Sequence, residues 1–310
     1  MLFLPAMHLR RRPILIASVL ALVLASAAAV VGAASSAPAQ PRWLVFSAHP
    51  NGDSGPLQLV RVRENGTQLK QITTGALTAT QPAFAPDGRT LAFARLGSGI
   101  FRMSIDGTGL RRLTSGARDI YPVWSPEGKR IAFLRPFRAE WRLYVMSRNG
   151  SGVRRLALAP PAGRPTWTAN GKSILIPSAA DIVRVDAKTG RIQKYYGLTL
   201  DIQTTQTATV SPDSVLVAYL GPRVSTGPED CGEGPCPQYG LYMARLPVPH
   251  RPRRILNDTG AAGWSSDGKT LAFVHLDHMK LRIVASGATK TVETGKHIAV
   301  GDSPPAWQPR

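Results

Sequence analysis

The chain has 310 residues, 43% hydrophobic and 18% charged, a balance that excludes a disordered polymer. A formal net charge of +19 at pH 7 calls for either an anionic partner or a solvated basic surface. Its 29 glycines and 26 prolines make about 18% of residues against an ordinary share of roughly 12%, which favours short strands and tight turns.

The first element is a targeting segment. Arg10, Arg11 and Arg12 precede an apolar run from Ile14 to Val31, and small residues then lead to Ala37-Pro38-Ala39. Residues 1–39 are therefore read as a signal peptide cleaved before Gln40. The apolar run is also long enough to act as an uncleaved N-terminal membrane anchor. Either way residues 40–310 are expected outside the cytoplasm, periplasmic or extracellular, with membrane contact confined to the N-terminal segment. The leader carries three arginines and no acid, so +16 of the charge stays with residues 40–310. Export and the lack of a nucleic-acid-binding motif point away from nucleic acid. The expected partner is a protein or an anionic cell-envelope component, met by a monomer with no cofactor.

A repeat follows. Pro82-Ala83-Phe84-Ala85-Pro86-Asp87-Gly88, Pro122-Val123-Trp124-Ser125-Pro126-Glu127-Gly128 and Pro165-Thr166-Trp167-Thr168-Ala169-Asn170-Gly171 superimpose, as do the segments around Val210, Trp264 and Trp307. The gaps between these positions are 40, 43, 43, 54 and 43 residues. Each period reads as four strands. A short first strand carries the Pro-x-Trp element, and an Asp-Gly, Glu-Gly or Asn-Gly pair turns the chain. The second strand is apolar at nearly every position, as in Leu91-Ala92-Phe93, which marks coverage on both faces. The third alternates, a second Gly turn follows, and the fourth is basic, as in Arg111-Arg112 and Arg154-Arg155. Lys and Arg on an outer edge strand discourage edge-to-edge pairing.

The two ends complement each other. The first unit starts at a second strand, Trp43-Leu44-Val45-Phe46, and the chain finishes on an unaccompanied first strand, Pro305-Ala306-Trp307. The expectation is an all-β fold, a six-bladed β-propeller over residues 40–310 with four-stranded blades. Residues 304–309 would complete the first blade and close the ring. The 54-residue gap marks an insertion at 221–239. It holds the two cysteines, Cys231 and Cys236, whose C-x4-C spacing in an oxidising compartment reads as a disulfide worth about 2 kcal/mol.

The unit P-x-W-S-P-D-G-x-x-[IL]-A-F, then L-Y-V-M, D-G and R-R-L-T, resembles the TolB-type propeller repeat, a WD-like unit. Pro122 to Phe133 with Leu143 to Met146 is the best copy. The resemblance covers residues 42–309 and implies a periplasmic partner of a cell-envelope assembly. TolB proteins carry an α/β domain ahead of the propeller, which is not found between the predicted cleavage point and Trp43. The repeat also resembles the propeller that covers the active site of prolyl oligopeptidase-type enzymes, without their hydrolase domain.

No nucleophile elbow, Walker loop or dinucleotide fingerprint occurs, and no catalytic residue is assigned. Possible metal ligands are His275, Asp277 and His278, which in a propeller would lie in a loop of the last blade. They would face His49 and Asp53 in the equivalent loop of the first. Asp119, Asp302, Asp201 and Asp258 precede first strands, and their ring would line the channel mouth. The loops between second and third strands share one face with the insertion. Arg135, Phe137, Arg138, Asp230 and Glu233 are the candidate partner-binding residues there. The function expected is a non-catalytic scaffold binding a protein or envelope polymer. The alternatives are a metal-assisted lyase or lactonase, or the accessory propeller of a peptidase system.

Overall fold

The computed structural model describes residues 41–309, apart from 50–54, 139, 160–162, 178–180, 198–207, 223–238, 247–252, 258, 276–277, 284–285, 294–298 and 301–303. Residues 1–39, expected from the sequence to be a signal peptide, lie outside the described residues with Cys231, Cys236, Asp230 and Glu233, as do Asp53, Asp201, Asp258, Asp277 and Asp302. No helix among the described residues is long and apolar enough to cross a membrane.

The described strands form six antiparallel sheets. The first holds β1 (Trp43–His49), β2 (Gln58–Arg63) and β3 (Lys70–Gln71). The second holds β4 (Ala79–Phe84), β5 (Thr90–Arg95), β6 (Gly99–Ser104) and β7 (Arg111–Arg112). Next come β8 (Ile120–Trp124), β9 (Arg130–Phe137), β10 (Glu140–Ser147) and β11 (Arg154–Ala159). The fourth has β12 (Thr166–Trp167), β13 (Ser173–Pro177), β14 (Asp181–Asp186) and β15 (Ile192–Gly197). The fifth has β16 (Thr209–Val210), β17 (Leu216–Pro222), β18 (Tyr239–Arg245) and β19 (Arg253–Asn257). The sixth has β20 (Thr259–Trp264), β21 (Thr270–His275), β22 (His278–Ile283) and β23 (Thr289–Thr291). Finally β24 (Ala299–Val300) and β25 (Ala306–Trp307) return to pair with β1. The fold is an all-β propeller of four-stranded antiparallel blades.

The core lies between blades. Val45 and Leu59 of the first sheet share an apolar cluster with Leu91 and Phe93 of the second. The sequence continues through the other sheets to a cluster of Ala272, Val274 and Val292 with Leu44, Phe46 and Val62, joining the sixth sheet to the first. This explains the uniformly apolar second strands: each is covered by a neighbour on both faces, and Phe46, Phe93, Phe133 and Phe273 are fully buried. Outer strands carry the exposed cations Lys70, Arg111, Arg112, Arg154, Arg155, Arg253 and Arg254, as an edge position requires.

The turns explain the rest of the motif. After Trp124, Trp167, Val210 and Trp264 a buried hydroxyl ties the first strand to the second. Ser125 Oγ accepts from Arg130 N, Thr168 Oγ1 from Ser173 N, Ser211 Oγ from Leu216 N and Ser265 Oγ from Thr270 N. The turn between third and fourth strands is an Asx turn in which Asn65, Asp106 and Asn149 accept the amide two residues on. Its glycine does a second job. A Cβ on Gly66 would stand 1.8 Å from the carbonyl oxygen of Glu293, and one on Gly190 would stand 1.8 Å from that of Leu156. Here the bare backbone lets one blade touch the outer strand of the blade before it.

The clasp differs in detail from expectation. Residues 304–309 were expected to supply the innermost strand, and β25 does pair with Leu44 and Val45. The pairing also extends to β24, which joins Ala48 and His49. Bulges break the register of other innermost strands between Thr80 and Ala83, Ile120 and Val123, and Thr259 and Ala262. Gln81 and Tyr121 sit at φ 55° and 53° in two of these bulges.

Candidate functional site

The innermost strands of all six sheets line one cavity of about 410 Å³. Its wall carries Phe84, Trp124, Trp167, Trp264 and Trp307 at the repeat's aromatic position. Pro86, Pro126, Pro212 and Pro309 lie two residues beyond, toward the turns between first and second strands. The tryptophans also stitch the blades: Trp167 Nε1 donates to Val123 O at 3.3 Å, Trp264 Nε1 to Thr209 O at 3.1 Å and Trp307 Nε1 to Gly263 O at 3.1 Å. Each acceptor immediately precedes the corresponding aromatic or Val position of the previous blade.

One charged side chain lines the described cavity, and the sequence reading missed it. Arg164 stands three residues before Trp167, where the repeat has Gln81 and Tyr121 in the two preceding blades. Its guanidinium passes the intervening blade to donate to Pro82 O at 3.2 Å. Burial pulls this guanidinium down to about 10, with Tyr121 working in the opposite direction. Burial likewise pushes the Tyr121 phenol up. The signal was available in the repeat register, because a cation at an otherwise neutral lumen position is a departure from the pattern.

Among the described residues, part of the candidate loop face is strand. Arg135 and Phe137 are not in a loop: β9 and β10 stay in register as far as the Phe137–Glu140 pair. Arg138 takes φ 57°, as a tight hairpin demands. Phe137 is 45% exposed, with the Arg142 guanidinium 3.8 Å and the Arg138 guanidinium 5.6 Å from its ring centre. Arg135 is engaged within the chain. Its Nε meets Asp119 Oδ1 at 2.6 Å and its terminal nitrogen meets Oδ2 at 2.8 Å, and this pairing raises its pKa above the ordinary value.

That ion pair also corrects the acidic-ring expectation. Asp119 has no exposed side-chain surface, and both its oxygens are taken by Arg135, so it offers nothing to a cation at the mouth. The backbones of His275 and His278 pair as the facing ends of β21 and β22. His49 ends β1 opposite Ala299, and its Nδ1 is buried without a hydrogen-bond partner. No group of three or more potential metal ligands occurs among the described residues.

A family model described as the TolB beta propeller domain matches residues 17–194. TolB from Acinetobacter baumannii superimposes with a TM-score of 0.66 at 16% identity, covering 87% of this chain and 67% of that one. A TolB homologue from Agrobacterium tumefaciens gives 0.55 at 15% identity, over 86% and 93% of the two chains. A chain of the Kuenenia stuttgartiensis hydrazine synthase gives 0.59 at 14% identity, over 88% and 47%. No curated protein matches the chain in sequence.

Proposed function

We propose that this chain, which belongs to the TolB beta propeller domain family, is an exported, non-catalytic six-bladed propeller that binds a protein partner or an anionic cell-envelope polymer. The observation that carries the reading is the make-up of the innermost strands. Their described lumen residues are aromatic, proline or small, with a single arginine and no carboxylate or histidine to act as an acid or base. A rigid ring of this kind is suited to presenting side chains. Exposed Phe137 with Arg138 and Arg142 around it provides an apolar and cationic patch for a partner. The insertion at 221–239, with Cys231 and Cys236 as a disulfide, belongs to the same end of the blades in this reading. Export rests on the leader, and the TolB structures are the fold's relatives.

The fold alone is compatible with chemistry, since a hydrazine synthase chain shares it. The reading is tested by capture from solubilised cell envelopes. The full chain should retain a partner that is lost on deleting 223–238 or on combining Phe137→Ala with Arg138→Glu. Retention of every partner by both variants would remove this face from the assignment.

A further inference from the structure

We propose that the central cavity is a carboxylate-binding site in which Arg164 takes the charged head and the tryptophan-lined bore takes an apolar body. The inference is separate from the partner-face reading and concerns a different surface.

Four observations support it. First, about 410 Å³ lies in the size range of small-ligand pockets, and six innermost strands hold its wall rigid. Second, Trp124, Trp167, Trp264 and Trp307 give that wall broad apolar surface, which suits a ligand with a hydrophobic body.

Third, Arg164 is the only charged residue among the described residues of the lining, and no described carboxylate pairs with it. Its one described hydrogen bond, to Pro82 O, uses one of five N–H donors. Arg164 keeps part of its surface exposed where it lines the cavity, and desolvation already weakens its hold on the proton. An incoming anion offsets that desolvation, and the planar fork accepts a carboxylate through two parallel bonds.

Fourth, the acid that precedes the innermost strand of the third sheet is withheld. Asp119, two residues before Tyr121, commits both oxygens to Arg135. A single guanidinium without a second described cation in the lining matches a monoanion better than a phosphate dianion. The carboxylate is either that of a free small acid or the C-terminus of a polypeptide.

The cavity tryptophans supply the readout. The purified full chain is titrated with 3-phenylpropionate, with an acetylated Gly-Phe peptide bearing a free C-terminus, and with the same peptide as its amide. Saturable change in tryptophan emission is expected with at least one acid and not with the amide. Binding by the small acid alone identifies a free ligand as the source, and binding by the peptide acid alone identifies a polypeptide terminus. Arg164→Gln should weaken binding roughly 10- to 100-fold, the worth of a charge-assisted contact. Arg164→Lys should lose less, because it keeps the charge and forfeits the fork. Ala169→Trp, at the exposed rim of the lining, should block entry while leaving Arg164 in place.

Thermal melts followed by circular dichroism establish that each variant is folded. If Arg164→Gln does not fold, the acid-against-amide comparison and Ala169→Trp decide. Equal binding of acid and amide, unchanged affinity in folded Arg164→Gln, or no saturation by either acid at millimolar concentration overturns the proposal. Deletion of 223–238 should leave cavity binding intact, which separates its failure from that of the partner-face reading.

Discussion

The indole nitrogen of Trp307 donates to the carbonyl oxygen of Gly263 at 3.1 Å, so the end of the chain is bound to the sixth sheet by the stitch used between earlier blades. Next to it, Trp43 N donates to Gln308 Oε1 and Gln308 N donates to Trp43 O, holding the last strand to the first sheet. Closure is thus distributed over backbone pairing, one indole bond and a shared apolar cluster.

Trp307→Ala should destabilise the fold by about 3–5 kcal/mol, as expected for emptying a buried aromatic site. Trp307→Phe should cost about 1–2 kcal/mol, mainly for the stranded Gly263 carbonyl. Trp124 is an internal control, because its Nε1 is buried without a partner. Trp124→Phe should therefore cost less than Trp307→Phe in urea denaturation. Equal costs would mean the indole bond contributes nothing to closure.

Gly190 and Gly97 separate backbone strain from close approach. Both have positive φ, 77° and 81°, but a Cβ on Gly190 would meet Leu156 O at 1.8 Å whereas one on Gly97 meets nothing within 4 Å. Gly97→Ala should cost about 1 kcal/mol, the left-handed penalty alone. Gly190→Ala should cost at least about 3 kcal/mol, because blade must move against blade. Parallel melting curves of the two variants check the difference.

Asp119→Asn should destabilise by about 1–3 kcal/mol, since it leaves the Arg135 guanidinium with a neutral partner in a half-buried place. Arg135→Met in the same background should recover part of the loss, because the uncompensated charge is gone. A double-mutant cycle measures the coupling. Strict additivity would show the pair to be decorative.

Asp106 predicts acid sensitivity. Hydrogen bonds from the Thr108 hydroxyl and amide hold its pKa at about 2, below the ordinary carboxylate value. Its contribution is therefore present above about pH 4 and is lost as pH falls through about 2. Asp87, Glu127 and Asp186 are shifted the same way, so the whole fold should lose stability over that window. Asp106→Asn should be near neutral at pH 7, because Asn65 and Asn149 make the same turn elsewhere, and should flatten the acid limb. An unchanged acid limb would contradict the assignment.

Much of the architecture was readable before any coordinates. The Trp spacing and the Asp-Gly and Asn-Gly pairs placed the blade strands, and Trp43 and Trp307 announced the clasp. The site was less legible. Arg135 reads in the sequence as a loop cation, and in the fold it is the counter-ion of Asp119 across 16 residues. Arg164 was passed over, because a cation beside Gly163 and Pro165 reads as loop until the bore is assembled around it. The serine or threonine after Trp124, Trp167, Val210 and Trp264 accepts from the amide that opens the next strand, a bond the repeat pattern does not announce.

What the sequence determined by itself was the repeating blade: turn geometry, strand coverage and edge charge are local properties, and each leaves a periodic mark. What the tertiary structure alone decided was which side chain meets which across blades. Trp307 reaches Gly263, Arg164 reaches Pro82 and Gly66 admits Glu293, at separations of 44, 82 and more than 200 residues. Those meetings depend on the angle at which twisted sheets pack, and no one-dimensional period encodes that angle.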